Sequence, residues 1–176
     1  PRERICRALF VGRLEAEKYP EDALRALARA RSLGTDADLK FIGDGHLRKT
    51  LERLARELGV QDFVTFSGYL SNKDIASELS QADLLLAPYA GTAFLEAAYL
   101  RVPIVGYEAG YLKDLLGPER AFLVKPGDIE GLAGAILSVM HDPQRAAEVA
   151  KRGHSVVAQK WDLQTLIESL EAVKRG

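Results

Sequence analysis

Six short apolar runs punctuate the chain, at Ala8–Val11, Leu39–Ile42, Phe63–Phe66, Leu84–Ala87, Ile104–Tyr107 and Phe122–Val124. Several are apolar throughout, the pattern of strands buried on both faces of a parallel sheet. The segments between them carry apolar residues at helical spacing. Ala23, Leu24, Leu27 and Ala30 share one face behind Pro20, and Leu47, Leu51, Leu54, Ala55 and Leu58 form a stripe stopped by Gly59. Ile75 and Leu79 predict a short helix, and Ala93, Ala97 and Leu100 another that ends before Val102-Pro103. Leu132, Ala135, Ile136 and Val139 predict a further helix, with Asp128 as its N-cap. Strands alternating with helices through right-handed crossovers imply an α/β, doubly wound, six-stranded parallel sheet with helices on both faces. A helical tail from Pro143 to Gly176 follows, in which Trp161 and the Leu163, Leu166, Ile167, Leu170 stripe reads as core or interdomain packing.

With 176 residues the expectation is a single domain, 1–176. A hydrophobic share of 47% is enough for a packed core. The net charge of −1 argues against a nucleic-acid partner held by bulk electrostatics. Cys6 is the single cysteine, which excludes an internal disulfide and suits a reducing, cytoplasmic setting. No apolar run approaches the roughly 18–20 residues that span a bilayer. The opening PRERICRALF lacks the layout of a signal peptide, and its start at Pro1 suggests a piece of a longer chain.

In open α/β sheets ligands bind beyond the carboxyl ends of the strands, so the loops there are the candidates. After the first run come Gly12 and Arg13, then Glu17 and Lys18. Gly12 permits close backbone approach, while Arg13 and Lys18 offer a planar fork and a mobile point charge to an anion; the alternative is two solvated surface cations. Gly43-Asp44-Gly45 ends the second run, either leaving space for a flat ligand or forming a plain turn. Gly68-Tyr69-Leu70 follows the third run, where backbone groups can meet a base edge. Gly91, Thr92 and Ala93 lie at an expected helix start, an anion site by its free amides and dipole. Glu96 lies one turn in on an otherwise apolar helix and needs a partner, which sugar hydroxyls, a lysine or an amide can supply.

GxGxxG, GxxxxGK[ST] and GxSxG are absent. His46, His141 and His154 are scattered, with no ligand-spaced Cys or carboxylate, so no metal is expected. Asp44 and Asp83 do not supply the acidic cluster of a receiver domain. Tyr89, Tyr99, Tyr107 and Tyr111 cluster in sequence near the proposed mouth, and about half of such tyrosines pack with only the hydroxyl at the surface.

The stretches FVGRLEAEKYPEDALRAL, LKFIGDGHLRKTLERLARELGV, FVTFSGYLSNKDIASELSQADLLLAP, GTAFLEAAYLRVPIVGYEAG and FLVKPGDIEGLAGAI together resemble the C-terminal domain of retaining GT-B glycosyltransferases of the group 1, or family 4, kind. They cover nearly the whole chain. The resemblance implies the Rossmann-like half of a GT-B fold that binds a nucleotide-diphosphate sugar, with the N-terminal acceptor domain absent. It implies that Arg13 and Lys18 hold the diphosphate with Gly12 beside them, and that Gly91, Thr92 and Ala93 meet phosphates and sugar. Glu96 matches the second glutamate of E-x7-E, on the ribose hydroxyls, and Tyr69 and Leu70 match the loop whose backbone reads the base. The first glutamate of that motif is replaced by Pro88; some relatives use a threonine- and glycine-containing loop there. Implied further are transfer with retention to a saccharide, lipid-linked glycan or small-molecule acceptor, no cofactor, and a cytoplasmic site with peripheral membrane association through the missing domain. The isolated domain is expected to be inactive. The alternative is a non-catalytic nucleotide- or sugar-binding module of the same fold.

Overall fold

The computed structural model describes residues 5–160, 162 and 168. Trp161 and the Leu163, Leu166, Ile167, Leu170 stripe lie outside the described residues. Six strands, β1 (Cys6–Val11), β2 (Ala37–Ile42), β3 (Val64–Gly68), β4 (Leu84–Ala87), β5 (Ile104–Tyr107) and β6 (Phe122–Val124), form one sheet in the order β3-β2-β1-β4-β5-β6. Every adjacent pair is parallel. The helices are α1 (Pro20–Ser32), α2 (Arg48–Glu57), α3 (Asn72–Ser80), α4 (Ala93–Tyr99), α5 (Ile129–His141) and α6 (Pro143–Ala158).

Alternation along the strands divides the core. Ala8 and Phe10, Leu84 and Leu86, and Val105 and Tyr107 pack with residues of α1, α2 and α5 on one face. Leu9, Leu85, Ala87 and Ile104 pack on the other with residues of α3, α4 and α6. Helix starts follow the cap chemistry: Pro20 opens α1, Ser71 Oγ accepts from Asp74 N–H at 3.1 Å, and Asp128 Oδ1 accepts from Gly131 N–H at 2.8 Å.

The structure departs from the sequence reading at three places. β1 and β2 begin two residues before their apolar runs, because Cys6 and Arg7 already pair with Ala37 and Asp38. β3 begins one residue late, since Gln61–Phe63 forms a 3-10 turn. Leu112–Leu116 forms an unforeseen π-helical turn that buries Leu112 and Leu116 beneath β5; a five-residue turn carries too little periodicity to be read.

The chain builds outward from β1 to β3, returns through α3 to the far side of β1, and continues through β4 to β6. The winding therefore reverses between β1 and β4, and a crevice at the carboxyl ends of those two strands is the expected ligand position.

Candidate functional site

Three loops are stitched together at that crevice. Gly12 N–H donates to Ile42 O at 2.9 Å, Leu14 N–H to Asp44 O at 3.0 Å, and Gly43 N–H to Gly68 O at 2.8 Å. The fit is backbone on backbone. Gly43 has φ +131°, and a Cβ on it would stand 2.0 Å from Gly12 O. The register of β2 and β3 shifts between Phe41 and Ile42, pairing Ile42 with Gly68, whose φ of 72° turns the chain into Tyr69-Leu70.

The resulting cavity, about 390 Å³, is lined by Gly12, Arg13, Lys18, Tyr69, Leu70, Gly91, Thr92, Ala93 and Glu96. The residues that the resemblance singled out are thus brought to one place, whereas Asp44 and Gly45 do not line it. Val11, Ile42, Gly43, Asn72 and Ile75 complete the lining. Val11 and Ile42 are the last residues of their strands, so reading each run to its end finds them. Asn72 gave no such signal: it opens α3 as a polar residue, yet it is buried.

The two cations are held differently. Arg13 Nη2 lies 2.9 Å from Glu17 Oε1, both side chains more than half exposed. A pair that open to water is weak and readily exchanged for another anion. Lys18 ends the 3-10 turn Ala16–Lys18 and carries its Nζ 5.1 Å from the ring centroid of Tyr89. The next residue, Tyr19, is left-handed at φ 52° and packs edge-on to Tyr107, ring centroids 6.0 Å apart.

On the facing wall Thr92 leads into α4, and the first amides of that helix have no partner within it. Glu96 stands one turn along, 2% exposed, against the cavity. A carboxylate so buried is costly unless polar groups surround it.

Gly45 does not leave room for a ligand: a Cβ there would meet Leu14 O at 2.5 Å, so it serves loop packing. Tyr107 is core, its phenol donating to Asp22 Oδ2 at 2.6 Å. Burial first, and then the bond to Asp22, hold that phenol's pKa well above its ordinary value. Tyr99 sits edge-on to His154, and Tyr111 is exposed. Among the described residues no group of three or more His, Cys, Asp or Glu is arranged to hold a metal ion, and no helix is long and apolar enough to cross a membrane.

The sequence profile of the family described as Glycosyl transferases group 1 matches residues 6–156. The chain belongs to that family. It is 30% identical over 157 residues to 2-deoxystreptamine glucosyltransferase of Streptomyces kanamyceticus, covering 86% of this chain and 41% of that protein. It is 31% identical to glycogen synthase of Mycobacterium tuberculosis, covering 100% of this chain and 45% of that protein. The chain therefore spans less than half the length of these curated relatives. The Anabaena protein HepE, solved in complex with UDP and glucose, superposes with a TM-score of 0.81 at 23% identity, over 96% of this chain and 48% of its own. The group 1 domain thus has the expected doubly wound, Rossmann-like architecture of half a GT-B fold.

Proposed function

We propose that this cavity binds the nucleotide diphosphate of a sugar nucleotide, and that the chain is the donor half of a glycosyltransferase acting with retention. One observation carries the reading: two cations, a helix start and a buried carboxylate, from loops far apart in sequence, line one cavity at the reversal of the winding. A diphosphate fits that set. Arg13 and Lys18 offset charge that grows on the leaving diphosphate, and the amides at Gly91–Ala93 add fixed dipoles. Glu96 accepts from the ribose hydroxyls, and Tyr69-Leu70 border the base. The HepE complex with UDP and glucose supports this choice of ligand.

The acceptor side, a saccharide, lipid-linked glycan or small molecule, belongs on this reading to a part of the protein beyond this chain. The isolated 176 residues then bind nucleoside diphosphates without turnover. Calorimetry with UDP, GDP and ADP and their sugars tests the proposal: saturable binding of at least one diphosphate is expected, and none of them binding refutes it.

A second reading, a non-catalytic nucleotide-sugar module, has one motive, Pro88 at the end of β4 where the resemblance implies a glutamate. Sugar transfer by the full-length protein separates the two.

A further inference from the structure

Three helices end at the amino edge of the sheet by one closure. Thr35 N–H donates to Ala30 O at 3.2 Å, Val60 N–H to Ala55 O at 2.9 Å, and Val102 N–H to Ala97 O at 2.8 Å. Each closure needs a left-handed residue just before the donor. Gly34 and Gly59 supply it in the first two, at φ 96° and 69°; in the third it is Arg101, at φ 59°. Arginine carries a conformational cost there that glycine avoids.

Arg101 lines a second cavity, about 640 Å³, that shares no lining residue with the first. Thr35, Asp36, Asp83 and His141 also line it, with an apolar wall that includes Pro103 and Met140. Thr35 is 6% exposed, and its Oγ1 has no hydrogen-bond partner among the described residues. The two acids are already engaged: Asp36 with Arg31 at 3.0 Å, and Asp83 as acceptor from Arg7 N–H at 2.8 Å. The side chains of Arg101 and His141 enter no hydrogen bond or ion pair among the described residues. The cavity thus offers an unneutralised guanidinium fork for an anion, carboxylate oxygens for hydroxyls and an apolar wall for a carbon skeleton. Its volume exceeds that of a bare anion and lies in the range of small-molecule sites.

We infer that this cavity is a second ligand site, independent of the donor site, for a sugar phosphate whose phosphate is held by Arg101. The test is calorimetry on the purified protein saturated with the tightest nucleoside diphosphate. The probes are glucose 6-phosphate, glucose and inorganic phosphate. Glucose 6-phosphate is expected to bind with a Kd of about 1 mM or tighter, and each half-probe at least about tenfold more weakly. Arg101→Gly separates binding from folding. Glycine suits the left-handed turn, so the melting temperature stays level or rises, while glucose 6-phosphate affinity falls about tenfold or more. His141→Gln, remote from that turn, is expected to weaken binding less. The inference is overturned by no saturable binding of glucose 6-phosphate, by competition with the nucleotide, by inorganic phosphate binding equally well, or by affinity that survives Arg101→Gly. Loss of nucleotide binding by Lys18→Ala tests the donor site alone and leaves this result standing.

Discussion

At the carboxyl edge of the sheet the connections are loops whose backbones touch one another, and the groups that face ligand come from four of them. At the amino edge three of the connections are sharp helix ends, each closed by its own hydrogen bond. The cavity at the amino edge is the larger, about 640 Å³ against about 390 Å³. The proposed donor site is therefore not the larger of the two cavities. The reversal of the winding between β1 and β4 points instead to the smaller cavity, where two cations, a helix start and a buried carboxylate face one space.

Glycine substitution probes the contrast most strongly. Gly43→Ala places a methyl 2.0 Å from Gly12 O at an unfavourable φ, and should cost about 3 kcal/mol or more in urea unfolding. Gly34→Ala at the amino edge meets nothing within 4 Å, so only backbone strain remains, about 1 kcal/mol. Equal effects would break the comparison.

The cations come next. Lys18→Ala should weaken nucleoside diphosphate binding by about 1.5–3 kcal/mol, the range for a bond to a charged group. Arg13→Ala should weaken it less, because free Arg13 must first leave Glu17. Calorimetry that finds neither variant affected moves the anion elsewhere.

Glu96→Gln should cost about 1–3 kcal/mol in nucleotide binding, and the same bond should vanish with a 2′-deoxy nucleotide. A double cycle reads this directly. Strict additivity removes Glu96 from the ribose, and lost thermal stability without coupling makes it a structural carboxylate.

The smallest effect concerns Tyr107, which ties β5 to α1 through Asp22. Its phenol titrates higher in the folded chain than in the unfolded one. The stability it contributes is therefore complete below the unfolded pKa of about 10 and declines as pH rises beyond it. Denaturant midpoints should fall more steeply above about pH 10 in the wild type than in Tyr107→Phe. Parallel curves would show that the buried phenol does not govern this range.

Much of this was legible in the chain. Short apolar runs and helical stripes are local signals, and they located β4, β5 and β6 to the residue and the caps at Asp128 and Gly59. The glycine-rich ends of the runs also pointed to residues that line the cavity at the carboxyl edge, since a doubly wound sheet puts those loops on one edge. Other features are not local. Nothing near Tyr107 distinguishes it from Tyr89; the first is core because its strand position faces α1, and the second lies beneath Lys18 because β1 and β4 are neighbours. Asn72 is buried at the start of α3, in the lining of the carboxyl-edge cavity, which nothing in its sequence neighbourhood announced. Arg101 reads as one more surface cation until the backbone shows it left-handed where two other helix ends have glycine. By itself the sequence determined the elements, their parallel class and the loops that carry chemistry, because propensity, period and capping act over a few residues. The tertiary structure alone decided which loops touch, which tyrosine is core and what each cation faces, because crossovers that join residues dozens of positions apart set those contacts.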